Sequence, residues 1–257
     1  MTTVVSIHSF RGGTGKSNTT SNVAAHLAAA GHRVAVIDTD IQSPGIHVLF
    51  GFDDGLTGTL NDYLWGKTSI AEAAHDVTAV VAQSTDVAPG GALYLVPSSM
   101  KAGDIARVLR EGYDVGTLND GFRDLAQNLE LDFLLIDTHP GLNEETLLSI
   151  TISDILLLIL RPDRQDFQGT AVTVDVARKL EVPELYLILN KVPTGVDVED
   201  LRAQVQTAYG APAVAMLPLS EEVVQNASGG LFSLTNPDDV WSEQIRQIAA
   251  TVASSAD

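Results

Sequence analysis

The chain reads Arg11-Gly12-Gly13-Thr14-Gly15-Lys16-Ser17 between its first apolar run and its first amphipathic segment. Glycines permit backbone angles and a close approach that other residues resist, so several N–H groups of such a turn can point at one phosphate. The helix that follows adds the positive end of its dipole. The alternative is a turn that only connects a strand to a helix. The Lys-Ser pair directly after the last glycine favours a phosphate-binding loop.

Individual residues of this loop have distinct expected roles. Lys16 would reach the β- and γ-phosphates of a nucleotide, and the Ser17 hydroxyl would ligate Mg²⁺, as in other Walker A sites. The first glycine of the general pattern is replaced here by Ser9 or Phe10, depending on alignment, so the match is to a variant. The expected nucleotide contacts are Gly12, Gly13, Thr14, Gly15, Lys16, Ser17 and Asn18.

Apolar runs rich in Val, Ile and Leu alternate with amphipathic stretches along the chain. This pattern is typical of strands buried on both faces with helices as crossovers. It predicts an α/β fold with a doubly wound, mostly parallel central sheet of seven or eight strands flanked by helices. The predicted strands are residues 4–8, 33–38, 93–97, 132–137, 154–160, 184–190 and 213–217. The predicted helices are residues 16–30, 105–110, 117–129, 144–152, 167–180, 198–209 and 239–253.

Length and composition predict one domain over residues 1–257, with a loop at 82–91 and a frayed tail at 254–257. The long apolar runs, such as 155–160, are far shorter than the roughly 20 residues that a membrane-spanning helix needs. No secretory signal is recognised, so a cytoplasmic location is expected. The chain has no cysteine, which excludes disulfides, thiolate catalysis and cysteine-held iron–sulfur clusters.

The charge balance disfavours one class of partner. The chain carries 15 Lys and Arg against 33 Asp and Glu, a formal net charge of −18. Such a field repels a nucleic-acid backbone unless cations are gathered on one face. DNA binding is therefore disfavoured, although a local basic patch stays open. An acidic surface that simply maintains solubility is the plainer interpretation.

Three further motifs follow the glycine-rich loop in a fixed order. They are Val36-Ile37-Asp38-Thr39-Asp40-Ile41-Gln42-Ser43-Pro44-Gly45, then Leu134-Leu135-Ile136-Asp137-Thr138-His139-Pro140-Gly141, and finally Met216-Leu217-Pro218-Leu219-Ser220. With the loop, they resemble the ParA/MinD family of deviant Walker A ATPases over nearly the whole chain. The resemblance implies a P-loop NTPase fold, ATP and Mg²⁺ as ligands, slow partner-stimulated hydrolysis and an ATP-dependent homodimer.

The resemblance also assigns roles to three carboxylates. It implies that Asp40 orients the attacking water, that Asp38 supports it near Mg²⁺, and that Asp137, the Walker B residue, holds Mg²⁺ through water. The D-x-D pair follows a strand, where doubly wound folds bind their ligands. The alternative is that these carboxylates cap a short helix after Pro44.

Two residues depart from the family pattern. Arg11 stands where the family has its signature lysine, which reaches across a dimer to the partner's phosphates. Arginine keeps the charge but presents a planar fork, so Arg11 could act in trans on the transferring phosphoryl group or remain a solvated side chain. His139 stands where most members have a small residue, and it could tune the segment or merely pack there; packing is the expectation.

The candidate base-binding residues lie in the last third of the chain. Asn190 would hydrogen-bond the adenine, and Pro218 and Leu219 would pack on its face, as the family comparison suggests. Asn190-Lys191 begins like the guanine-reading N-K-x-D motif, but its fourth position is Pro193, which has no carboxylate. ATP is therefore expected rather than GTP.

These features predict an ATP-driven switch that controls the positioning or partitioning of a cellular partner. The partner is expected to be a protein, and residues 161–166 form a candidate dimer or partner surface. A basic membrane-binding helix is not expected, since residues 240–253 carry Arg246 as their only cation. The alternative is a non-hydrolysing nucleotide sensor. An iron–sulfur carrier would need cysteines, and a tyrosine kinase of this lineage would need a tyrosine-rich tail, whereas the last tyrosine is Tyr209.

Overall fold

The computed structural model describes residues 1–52 and 56–256, and its centre is one sheet of eight strands. The strands lie in the order β3-β4-β2-β5-β1-β6-β7-β8, and every neighbouring pair is parallel except β3 with β4. This arrangement confirms the predicted doubly wound sheet. The strands are β1 Thr3–His8, β2 Arg33–Asp38, β3 His75–Asp76, β4 Ala92–Val96, β5 Phe133–Asp137, β6 Ile155–Leu160, β7 Glu184–Val192 and β8 Ala213–Pro218.

Helices cover both faces of this sheet. The helices are α1 Lys16–Ala29, α2 Leu60–Leu64, α3 Thr78–Ala82, α4 Ala102–Glu111, α5 Val115–Asn128, α6 Glu144–Ile152, α7 Arg164–Lys179, α8 Val198–Tyr209, α9 Glu221–Gln225, α10 Phe232–Thr235 and α11 Val240–Ser255, with a 3-10 helix at Ile46–Phe50. The seven longer helices match the predicted ones. The shorter ones and strand β3 were not predicted, because four or five residues are too few to show a hydrophobic period.

Both faces of the strands are buried, which explains their continuous apolar runs. In β2, Val34 and Val36 pack in the cluster that contains α1 and α11, whereas Ala35 and Ile37 pack on the opposite face with α5. A third cluster joins α7 and α8 to strands β6, β7 and β8. The sheet is therefore the middle layer of three.

The register of the central strands gathers their carboxyl ends. Asp38 at the end of β2 is paired with Asp137 at the end of β5, and Asp137 is in turn paired with Ile7 of β1. The glycine-rich loop begins at Arg11, three residues after β1 ends at His8. The loop and both carboxylates consequently lie at the same edge of the sheet, where ligands of doubly wound folds bind.

The end of the chain differs from the expectation. Helix α11 continues through Ser255, so the predicted frayed tail at 254–257 is wrong for its first two residues; Asp257 lies outside the described residues. Ser255 Oγ donates to the carbonyl of Thr251 and bonds with the Tyr186 hydroxyl at 2.9 Å, which ties the last turn to β7. The predicted loop at 82–91 is also wrong at its first residue, because Ala82 is the last residue of α3. Within the described residues, no helix combines the length and apolar character that crossing a membrane would require.

The packing of α11 makes a testable prediction about stability. Ile245 is fully buried in the cluster with α1, whereas Val240 of the same helix is 61% exposed. Ile245→Ala should lower the free energy of unfolding by about 3 kcal/mol, because it removes buried methyl groups and leaves a cavity. Val240→Ala should change it by less than about 0.5 kcal/mol. Equal losses in urea denaturation would contradict the packing described for α11.

Candidate functional site

The glycine-rich loop has a backbone that requires glycine. Gly13 and Gly15 have φ values of +75° and +99°, a region that side chains with a Cβ resist. A Cβ at Gly15 would also overlap the amide of Asn190, while one at Gly13 would meet no atom within 4 Å. Helix α1 begins directly afterwards at Lys16, so its free N–H groups face the loop. The arrangement is a concave nest of donors suited to an anion.

Lys16 is almost fully buried beneath this loop, and its Nζ donates to Ser9 Oγ at 3.3 Å. A buried ammonium lacks the solvation of water and needs negative partners. The positive charge of Lys16 acts on the carboxylate of Asp137, which is paired with Asp38 across the neighbouring strands. Lys16 therefore joins the loop to the acidic edge of the sheet.

Asp38 and Asp137 form a buried acidic pair. Burial raises the pKa of each carboxyl, and the charge of Asp137 raises the pKa of Asp38 further. Hydrogen bonding to Ser17 and the charge of Lys16 act in the opposite direction on Asp137, and Thr20 Oγ1 donates to it at 3.3 Å. Two carboxylates held side by side in this way would be stabilised by a further cation.

The residues present fit Mg²⁺. Asp38 Oδ2 is buried without a hydrogen-bond partner, while Asp38 Oδ1 accepts the Asp40 N–H at 3.0 Å. Within residues 1–52 and 56–256, no group of three acidic or histidine side chains makes a complete metal cage. Mg²⁺ characteristically takes one or two carboxylates and completes its shell with phosphate and water. Ser17, Asp38 and Asp137 are the side chains that would hold it.

Asp40 lies in the loop that follows β2 and lines a cleft together with Lys16 and Ser17. Its Oδ1 accepts from His139 Nδ1 at 2.6 Å, from Ser43 Oγ at 2.9 Å and from Ser43 N–H at 3.2 Å. The bond to Asp40 raises the pKa of His139. The expectation that His139 merely packs is therefore incomplete, because its ring contacts the carboxylate proposed to orient water. The capping alternative is not seen either: Gly45 precedes the 3-10 helix and no side chain caps it.

Arg11 folds back onto the start of α7 in its own chain. Its guanidinium lies 3.4 Å from Asp166 Oδ1 and 3.7 Å from Asp163 Oδ1, and its side chain is 39% exposed. Asp166 is nearly buried and also accepts from Arg161 Nε at 2.9 Å. Within residues 161–166, Arg161 therefore binds the buried carboxylate of Asp166 closely. Arg11 contacts Asp163 and Asp166 at longer distances.

A second cleft adjoins the phosphate loop and holds the predicted base-binding residues. It has a volume of about 340 Å³, and Gly13, Gly15 and Asn18 also line the neighbouring cleft at Lys16 and Ser17. The side chains that line it include Asn190, Pro218, Leu219, Val223, Val224 and Trp241. One end is therefore apolar and the other opens onto the phosphate loop, as a base and its phosphates require.

Asn190 and Lys191 also support the loop. Asn190 Nδ2 donates to the Thr14 carbonyl at 2.7 Å, and its Oδ1 accepts from the Lys191 N–H at 2.8 Å. Lys191 Nζ donates to the Gly13 carbonyl at 2.8 Å. These bonds fix two peptide groups of the turn, which directs their N–H groups inward. The role of Asn190 toward adenine stays a prediction.

Sequence reasoning missed several of these contributors. Thr20 lies one helical turn after Lys16, a spacing that could have placed it near Asp137. Lys191 follows Asn190 directly in the sequence. The Asn-Lys pair could therefore have indicated that Lys191 also lies near the loop. The contact of Arg11 with Asp166 joins residues 155 positions apart and leaves no local pattern.

The matches to known proteins agree with this geometry. The ParA family model, described as NUBPL iron-transfer P-loop NTPase, matches residues 1–253. An uncharacterized ATP-binding protein of Methanocaldococcus jannaschii is 26% identical, with 97% of this chain and 87% of that protein covered. An iron-sulfur cluster carrier protein of Pseudomonas fragi is also 26% identical, over 88% and 76%. The septum site-determining protein MinD with Mg-ADP from Pyrococcus horikoshii has the same fold, with a TM-score of 0.78, 22% identity and coverage of 98% and 96%.

The loop backbone makes a second prediction, which concerns stability without nucleotide. Gly15→Ala should lower the free energy of unfolding by about 2 to 4 kcal/mol, because it adds a steric overlap with Asn190 to the backbone strain. Gly13→Ala should cost only about 1 kcal/mol, since it meets open space. Thermal and urea denaturation of both variants measure the difference. A Gly15→Ala protein as stable as Gly13→Ala would contradict the contact between the loop and Asn190.

Proposed function

The chain belongs to the ParA family of P-loop NTPases, and we propose that it is an ATP-hydrolysing switch that dimerises with ATP and controls the positioning or partitioning of a cellular partner. The observation that carries this proposal is the buried acidic pair Asp38 and Asp137 at the edge of the sheet from which the loop emerges, where the charge of the buried Lys16 acts on Asp137. The phosphate loop, Ser17 and a third carboxylate, Asp40, line one cleft.

Each group has a chemical task in the proposed reaction. The loop N–H groups and Lys16 would hold the β- and γ-phosphates and stabilise negative charge as the terminal phosphoryl group is transferred. Ser17, Asp38 and Asp137 would hold Mg²⁺, which supplies charge neutralisation between the phosphates. Asp40 would orient a water toward the phosphorus atom. Three bonds hold its Oδ1, so Oδ2 is the oxygen that can accept from this water.

ATP is the proposed nucleotide. The cleft beside the loop is lined by Pro218, Leu219 and Val224, which suit the face of a flat ring. Reading guanine through the N-K-x-D pattern takes a carboxylate at the position of Pro193. The amide of Asn190, bonded to the loop and to Lys191, is the proposed polar contact for adenine.

The proposed dimer depends on Arg11. In the single chain, Arg11 is partly exposed and its carboxylate contacts exceed 3.3 Å, so its release toward a second copy would cost little. Arginine can then stabilise charge on the partner's phosphates in trans, as arginine fingers do. Residues 161–166 would lie at this interface.

Charge and packing favour a protein as the cellular partner. A net charge of −18 disfavours DNA as the platform. The apolar side of α11, with Trp241, Ile245 and Ile248, is buried in the core and is not available to a membrane surface. A protein partner is therefore proposed. We do not propose the cluster-carrying role that is named for the relative from Pseudomonas fragi, because this chain has no cysteine to supply thiolate ligands.

A second candidate is a nucleotide sensor that binds ATP without turnover. It is favoured by the contact of Arg11 with Asp166 of its own chain, which would keep Arg11 from acting in trans if it persisted. Turnover separates the two candidates: the switch releases inorganic phosphate from ATP, and the sensor does not.

Lys16→Ala should abolish measurable ATP binding, because it removes the buried cation that we propose holds the β- and γ-phosphates. Isothermal titration with Mg-ATP measures this directly. Lys101→Ala is the matched control, since Lys101 is exposed ahead of α4 and should leave affinity unchanged. Wild-type affinity in Lys16→Ala would contradict the assignment of the phosphate site.

Asp40→Ala should bind Mg-ATP normally and hydrolyse it about 100-fold more slowly, because the water loses its orienting carboxylate. The measurement is phosphate release at saturating ATP. Asp120→Ala, on the exposed side of α5, removes one carboxylate far from the cleft and should leave turnover unchanged. Unaltered turnover in Asp40→Ala would remove Asp40 from its proposed role.

A further inference from the structure

His139 joins the two loops that carry the acidic residues of the site. It lies two positions after Asp137 in the loop that leaves β5, and its Nδ1 is 2.6 Å from Asp40 Oδ1 in the loop that leaves β2. Both side chains are about four-fifths buried. The contact spans 99 positions of sequence and connects neighbouring strands of the sheet.

We propose that His139 is a positioning residue for hydrolysis: it donates its Nδ1–H to Asp40 Oδ1 and thereby turns Oδ2 toward the attacking water. The inference rests on the proposed function, because it concerns the orientation of the water by Asp40. An ionised carboxylate only accepts hydrogen bonds, so Nδ1 must carry the proton. The bond is charge-assisted, and its length is at the short end for such pairs.

The backbone on both sides of His139 is anchored, so the ring is held at a defined place. Thr138 Oγ1 donates to the Ile7 carbonyl at 2.9 Å, and Gly141 N–H donates to the Ser9 carbonyl at 3.1 Å. Ser9 also accepts from Lys16 Nζ through its hydroxyl. A short path of bonds therefore runs from the phosphate loop to His139 and on to Asp40.

Ser43, the other hydrogen-bond partner of the Asp40 carboxylate, cannot position this carboxylate relative to the phosphate loop. Ser43 supplies two of the three bonds to Oδ1, but it belongs to the same loop as Asp40 and moves with it. His139 comes from a different strand and is tied to the phosphate loop. It is consequently the contact that fixes the carboxylate relative to the phosphates, and a misplacement of about 1 Å there can cost about 100-fold in rate.

The test compares three substitutions of the same residue. Asparagine places an amide donor near the position of Nδ1, glutamine places one near Nε2, and alanine has none. His139→Ala should lower kcat for ATP about 10- to 100-fold with KM and Mg-ATP affinity unchanged. His139→Asn should recover most of the loss, and His139→Gln should not. In an Asp40→Ala background, His139→Ala should cause no further loss.

Each outcome decides a different point. Wild-type kcat in His139→Ala overturns the inference, and so does an equal loss in the asparagine and alanine variants, which would indicate packing rather than a donor at Nδ1. Urea denaturation confirms that the variants are folded, and the asparagine variant keeps the test valid if alanine unfolds. A wild-type protein that binds ATP without turnover would instead refute the proposed hydrolysis, and the positioning role would fall with it.

Discussion

The proposed site depends on two carboxylates, Asp38 and Asp137, that lie side by side with almost no access to water. Each one ends a strand of the parallel sheet. The register that pairs Asp38 with Asp137 leaves no room to separate their charges. Burial raises the pKa of both groups, so their ionised forms need positive partners. Lys16, at the start of α1, supplies one such charge to Asp137. A divalent cation carrying phosphates would supply the rest.

The sheet makes this arrangement rigid before any ligand arrives. Strand β1 lies between β5 and β6, so the glycine-rich loop emerges beside Asp137. Bonds from Asn190 and Lys191 hold the carbonyls of the turn, and Gly141 holds Ser9 from the other side. Donors fixed in this way lose little entropy on binding and need little reorganisation during reaction. The nearby Arg11 has longer contacts and is partly exposed, which is compatible with its proposed role in a dimer.

Much of this could be predicted from the sequence, for identifiable reasons. Strands buried on both faces leave long apolar runs, so seven of the eight strands and the longer helices were predicted near their observed bounds. Strand β3 has two residues and pairs at an edge, and helices such as α9 are a single turn, so neither has a period to detect. Within the site, the loop and the D-x-D pair are local motifs. The bond between His139 and Asp40 joins residues 99 positions apart and depends on the register of β2 with β5. A local sequence motif therefore cannot reveal it.

We propose that ATP, bound at the acidic edge of the sheet, brings two copies of the chain together. The most direct measurement is the solution mass of Asp40→Ala by light scattering, with Mg-ATP and with Mg-ADP, since this variant should retain the triphosphate. We expect twice the 27.2 kDa of one chain with ATP and the mass of a single chain with ADP. We also expect that Arg11→Ala, added to this variant, prevents the ATP-dependent mass increase. A single chain in both nucleotides would contradict the switch and favour the sensor.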